Sequence, residues 1–228
     1  MTYITLFLAV LVGVLAVLII KPHSKTIQLL LSFSGAYLLS MTVLHLIPEV
    51  YAEQTHNIGL FILVGILIQT ILEYFSKGAE HGHVHVHGEV HSVPWMLVIS
   101  LGIHAFIEGI PLYEPVSNEL LWGIVVHKIP VTLVLAAFLF QTKLSKLKIY
   151  SILLLFALMS PFGAIAPEYI SFFSSYRSEI MAVIIGVLLH IATAILFESS
   201  QNHQFNIKKF IVVLVGFSVA YLSTLIGH

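Results

Sequence analysis

His104 and Glu108 stand four residues apart in the run SLGIHAFIEGIPLY, and His127 and Lys128 adjoin in VVHKIPVTL. A spacing of four puts two helical side chains on one face. An imidazole and a carboxylate on one face suit Zn²⁺ or a similar divalent ion. Both runs are strongly apolar, and an ionisable group at the centre of a membrane helix costs about 2.5–3.5 kcal/mol to insert. That cost marks His104, Glu108 and His127 as candidate metal ligands. Pro111 and Pro130 follow closely, and each removes a backbone donor. A kink at Pro111 is expected to expose carbonyls beside the site, and Pro130 to weaken the ladder next to His127.

Further polar residues fall along the same apolar chain. His45 and Glu49 are again four apart, in HLIPE, with Met41 one turn away; Met41 reads as an ordinary apolar packing residue. His190 and Glu198 lie in a later run. These four are candidate pathway ligands on either side of the central group. The segment HGHVHVHGEVH carries His81, His83, His85, His87 and His91. Histidines at that density on a loop bind Zn²⁺, Ni²⁺ or Cu²⁺ with modest selectivity. The reading is a metal buffer or regulatory loop.

The elements that must position these residues follow from composition. Of 228 residues, 58% are hydrophobic and 9% charged, with a mean hydropathy of +1.00. A soluble domain carries about 25% charged residues. An ordinary soluble fold, a disordered chain and a nucleic-acid binder with a basic surface are therefore excluded. Cysteine is absent, so disulfides and thiolate metal sites are too; aspartate is also absent, and all eleven carboxylates are Glu.

Apolar runs cover roughly 3–20, 27–47, 58–76, 94–113, 119–140, 148–166, 180–198 and 207–226. Each has about the 20 residues that cross the hydrocarbon as a helix. The first lacks a basic flank and a clean cleavage site, so it is read as a retained helix. Lys21, Lys25, Lys77, Lys143, Lys146, Lys148, Lys208 and Lys209 all fall in alternate loops, against Arg177 alone in the others. Those alternate loops face the cytoplasm, and both termini lie outside. The expected fold is an all-α polytopic membrane protein, one transmembrane domain over 1–228, with a cytoplasmic His-rich loop over 77–93.

With these motifs in place, the chain resembles the ZIP (Zrt/Irt-like) family of divalent-metal transporters. The likeness rests on eight helices, outside termini, the His-rich loop between the third and fourth, HLIPE, HAFIEG, HKIP and SPFGA (Ser160 to Ala164). It implies a 3+2+3 arrangement: two inverted three-helix repeats around the fourth and fifth helices. It implies transport of Zn²⁺, Fe²⁺, Mn²⁺ or Cd²⁺ into the cytoplasm between those two, with His104, Glu108 and His127 as the inner site. A glutamate common one turn after His127 is Val131 here. The family's second metal site does not carry over, since its distinguishing positions hold Ala105, Lys128 and Ser160. Lys128 then replaces the second ion, supplying positive charge beside Glu108.

The resemblance implies an importer of a Zn-like metal, with no catalytic cofactor and with the fourth and fifth helices moving against the repeats. Two imidazoles and a carboxylate favour Zn²⁺, Fe²⁺, Co²⁺ or Cd²⁺ over Mg²⁺ and Ca²⁺. Two other functions compete. One is a ZIP-like sensor or accessory protein that no longer transports. The other is an intramembrane metal-dependent hydrolase, which lacks HExxH and would take Glu108 as its base. Partners are divalent ions and the bilayer. Gly163, Ala164 and Gly186 permit close helix approach, inside one chain or between copies in a homodimer. Compactness and family habit point to a bacterial inner membrane.

Overall fold

The computed structural model describes residues 1–53, 56–79, 92–113, 118–198 and 206–226. The loop histidines His81, His83, His85, His87 and His91 lie outside the described residues, as does the side chain of Glu198. Ten α-helices and two tighter or wider turns make up the described chain, with no strand among these residues. They are α1 (Thr2–Ile19), α2 (Ser24–Met41), α3 (Ile47–Ala52), α4 (Ile58–Ser76) and α5 (Trp95–Gly109). Then come α6 (Asn118–Gln141), α7 (Lys146–Tyr169), α8 (Ser171–Ser175), α9 (Arg177–Glu198) and α10 (Ile207–Ile226). Eight segments are long and apolar enough to cross a membrane, in the eight places the sequence marks.

Pro111 acts differently from its sequence reading, and Pro48 is accommodated without a break. The expected kink at Pro111 is replaced by a 3₁₀ turn, Ile110–Leu112, that finishes α5. The amide of Ile110 donates to the carbonyl of Ile107, the acceptor that Pro111 leaves unserved, so this carbonyl is not released toward the site. Pro48 lies beyond a π-helical turn over Thr42–Leu46, where the amide of Ile47 reaches back to the carbonyl of Thr42. A π turn absorbs the amide that Pro48 cannot supply to Leu44. The second span therefore runs on as one rod from Ser24 to Ala52, with His45 in its widened turn. Pro130 leaves α6 unbroken, and Thr132 Oγ1 donates to the Lys128 carbonyl at 2.7 Å.

The spans pack as four close pairs, and internal symmetry divides the pairs into two groups of four. In one, α5 lies along α7 and α1 along α6, with α1 also against α7. In the other, α4 lies along α9 and α2 along α10, with α2 also against α9. Exchanging α1, α2, α4 and α5 with α7, α9, α10 and α6 maps the closest pairs onto one another. By the charge-derived topology α1 and α7 run in opposite directions, so the exchange is an inverted repeat. The groups meet where α2 faces α6 and α4 faces α5.

Glycines set the closest approaches. A Cβ on Gly163 would strike the Phe106 carbonyl, and one on Gly109 the Ser160 carbonyl. Gly186 and Gly65 stand in the same relation across α9 and α4. Missing side chains let backbones approach where lipid supplies no hydrophobic drive between helices. Gly163 and Gly186 are thus used inside the chain, as is fully buried Ala164. They offer no face to a second copy. α4 turns Leu60, Leu63, Leu67, Ile71 and Tyr74 outward. Such a stripe belongs in hydrocarbon, not water. α6, which carries His127 and Lys128, is the most enclosed span.

Candidate metal centre

α5 brings His104 and Glu108 to one face, as i,i+4 residues must be, and α6 brings His127 and Lys128 opposite. All four side chains are at most 1% exposed. Glu108 Oε1 faces His104 Nε2 at 3.3 Å and His127 Nε2 at 3.6 Å. Tetrahedral ligands about 2.0–2.1 Å from Zn²⁺ stand roughly 3.3–3.4 Å apart, by the geometry of the tetrahedron. The three ligand atoms lie within 4.8 Å of one another and form the only group of its kind among the described residues. Glu108 Oε1 and both nitrogens of His104 lack a hydrogen bond there. Buried polar atoms are nearly always satisfied, so a cation fits this set. Three protein ligands leave a fourth position for water, which keeps coordination exchangeable.

Lys128 takes the other carboxylate oxygen. Its Nζ donates to Glu108 Oε2 at 3.1 Å. The ammonium also lies 5.1 Å from the centre of the Phe156 ring, an attractive cation–π placement. The remaining positions read as second-site replacements are joined directly: Ser160 Oγ donates to the Ala105 carbonyl at 2.6 Å, both residues being fully buried. The hydroxyl is thereby engaged by backbone, bolting α7 to α5. Val131 is buried in the apolar core and supplies no ligand.

The pathway candidates separate to the two ends. His45 and Glu49 line a cavity of about 210 Å³ between the outer ends of the helices, together with Met41, Tyr113, Arg177 and Met181. Met41 is fully buried at its inner end, so the expectation of a packing residue holds, with a cavity on one side. His190 is elsewhere: its Nδ1 faces Glu73 Oε2 of α4 at 3.5 Å, both about one-fifth exposed. They lie on the Lys77 side of the Gly65–Gly186 crossing. Ser100, one turn from His104 on α5, donates to the Leu72 carbonyl of α4 at 2.6 Å, beside Glu73.

Sequence reasoning passed over Glu73, Phe156 and Ser34, which contacts His127. Glu73 was detectable, as an ionisable residue inside the third apolar run. Phe156 and Ser34 carry no such signal, because Phe and Ser are ordinary in membrane helices.

Residues 76–224 match the family described as ZIP zinc transporter. The chain belongs to the ZIP zinc transporter family. Among curated relatives of this ZIP chain, zinc transporter ZIP1 of Takifugu rubripes is 29% identical over 157 residues, 64% of this chain and 52% of that protein. Zinc transporter ZIP1 of Danio rerio is 30% identical over 155 residues, 63% of this chain and 51% of that protein. Protein zntD of Dictyostelium discoideum is 29% identical over 165 residues, 62% of this chain and 24% of that protein. The ZIP chain thus spans about half the length of the two fish relatives, and less of the third. The family match takes in His104, Glu108, His127, Lys128, Ser160 and His190; His45 and Glu49 precede it.

Proposed function

We propose that this ZIP chain moves a divalent transition metal, Zn²⁺ foremost, into the cytoplasm through a single intramembrane site of His104, Glu108 and His127. The supporting observation is the division of one carboxylate. Oε1 of Glu108 faces two imidazoles, while Oε2 is held by the ammonium of Lys128. Lys128 stands in for a second ion, and its single charge repels the cargo less than a divalent ion would. Cd²⁺, Fe²⁺, Co²⁺ and Mn²⁺ are further cargoes for the site.

His45 and Glu49 recruit the ion from the outer cavity. His190, with Glu73, receives it on the cytoplasmic side, followed by Glu198 and the loop histidines 81–91, which buffer it. Alternating access is a slide of the group α1, α5, α6 and α7 against α2, α4, α9 and α10. That division is wider than a helix pair moving between repeats: α5 is bolted to α7 and α6 packed on α1. Eight long apolar spans make the protein a multi-pass membrane chain.

Liposomes loaded with a metal-sensitive dye test the reading, with Zn²⁺ or Cd²⁺ added outside. The wild type is expected to give saturable uptake, His104→Ala none, and His190→Ala slower uptake with unchanged binding at the central site. Negligible uptake by a folded, metal-binding wild type would overturn transport in favour of a sensor or accessory protein.

A further inference from the structure

His127 is held from across the boundary between the two helix groups. Ser34 on α2 places its Oγ 3.3 Å from His127 Nδ1 on α6, and both side chains are fully buried. One assignment of roles makes both contacts of Ser34 hydrogen bonds at once. A serine hydroxyl has one proton, and that of Ser34 goes to the carbonyl of Leu31 at 3.0 Å. Its oxygen is then left to accept, so Nδ1 of His127 donates. His127 carries its proton on Nδ1 and turns the lone pair of Nε2 toward Glu108 Oε1, 3.6 Å away. A metal takes the ring nitrogen that has no proton, and the bond made by the other nitrogen selects it. His104 has no corresponding support, since neither of its nitrogens makes a hydrogen bond among the described residues.

We infer that Ser34 is a positioning residue for the metal site, fixing the tautomer and ring orientation of His127, and that it does so only in the present register of α2 against α6. The inference rests on the reading of His104, Glu108 and His127 as that site. A one-residue shift of α6 along α2 moves His127 by about 1.5 Å. Taken across the 3.3 Å contact, that lengthens it to about 3.6 Å, past hydrogen-bond reach. The ring then loses the acceptor that selects its tautomer, and Nε2 no longer presents a fixed lone pair.

The full-length protein in detergent micelles, labelled with ¹⁵N-histidine, gives the test. Ring-nitrogen shifts report the tautomer without metal, and His127→Ala identifies the signal. In the wild type His127 is expected protonated on Nδ1; in Ser34→Ala, as a mixture of tautomers. Calorimetric titration with Zn²⁺ is expected to show about tenfold weaker binding in Ser34→Ala, the lower end of what losing a ligand's hydrogen-bond partner costs. Ser34→Thr keeps the hydroxyl and is expected to restore both readouts. If Ser34→Ala does not fold, Ser34→Cys makes the same comparison with a weaker acceptor. Wild-type His127 protonated on Nε2, or a Ser34→Ala variant with wild-type tautomer and affinity, would overturn the inference. Zn²⁺ binding that is indifferent to His127→Ala would overturn the metal-site reading instead, and the metal-free tautomer measurement would still judge the hold of Ser34.

Discussion

Glu108→Gln is expected to lose Zn²⁺ binding by at least about a hundredfold, because loss of outer partners alone costs 10–100-fold and Glu108 is itself a proposed ligand. The amide keeps the shape of the side chain and removes its charge. Three groups depend on that charge: His104 at 3.3 Å, His127 at 3.6 Å and Lys128 at 3.1 Å. The same substitution strands the ammonium of Lys128, which is 1% exposed. Removing one partner of a buried pair costs about 3–5 kcal/mol, because the other charge stays desolvated. The melting temperature is therefore expected to fall together with the affinity. Calorimetric titration and thermal melting of the purified protein check both, and a Glu108→Gln variant with near-wild-type affinity would remove this carboxylate from the site.

Lys128→Met has a different signature, and it separates replacement of a second ion from simple structural pairing. Without metal, the variant leaves Glu108 buried with no cation, again at a cost of about 3–5 kcal/mol. With metal, the ion itself supplies the missing charge. A charge of +1 and an ion of +2 about 6 Å apart repel by about 5–6 kcal/mol at an effective dielectric near 20, and the substitution removes that repulsion. Metal-free Lys128→Met is thus expected to melt lower than wild type, and saturating Zn²⁺ to raise its melting temperature by more. Uptake is expected to slow even as binding tightens, since the ion leaves a deeper well. A Zn²⁺-induced shift equal to that of wild type would show that Lys128 does not act against the bound metal.

Much of the fold was readable along the chain. A membrane span is a matter of length and apolarity, so all eight segments fall where the sequence marks them. The ends were less legible. The second span passes through Pro48 to Ala52, because a π turn absorbs the missing donor. The fourth closes in a 3₁₀ turn at Pro111 instead of kinking. Proline announces that a hydrogen bond is lost; which neighbour takes over its acceptor depends on local geometry that the residue type does not encode. Gly163 and Gly186 were equally ambiguous, since a small residue licenses a close approach without naming the partner.

The sequence by itself determined the medium, the number of spans, and the chemical types gathered on the fourth and fifth spans. These properties are local or additive: hydropathy sums along a segment, and residues four apart share a helix face. Only the tertiary structure decided that one oxygen of Glu108 goes to two imidazoles and the other to Lys128. It alone joined Ser160 to Ala105, Glu73 to His190 and Ser34 to His127. Those pairings link different helices, and their distances are set by how glycines let the helices cross and by which rotamers then fit. No spacing along the chain carries that information.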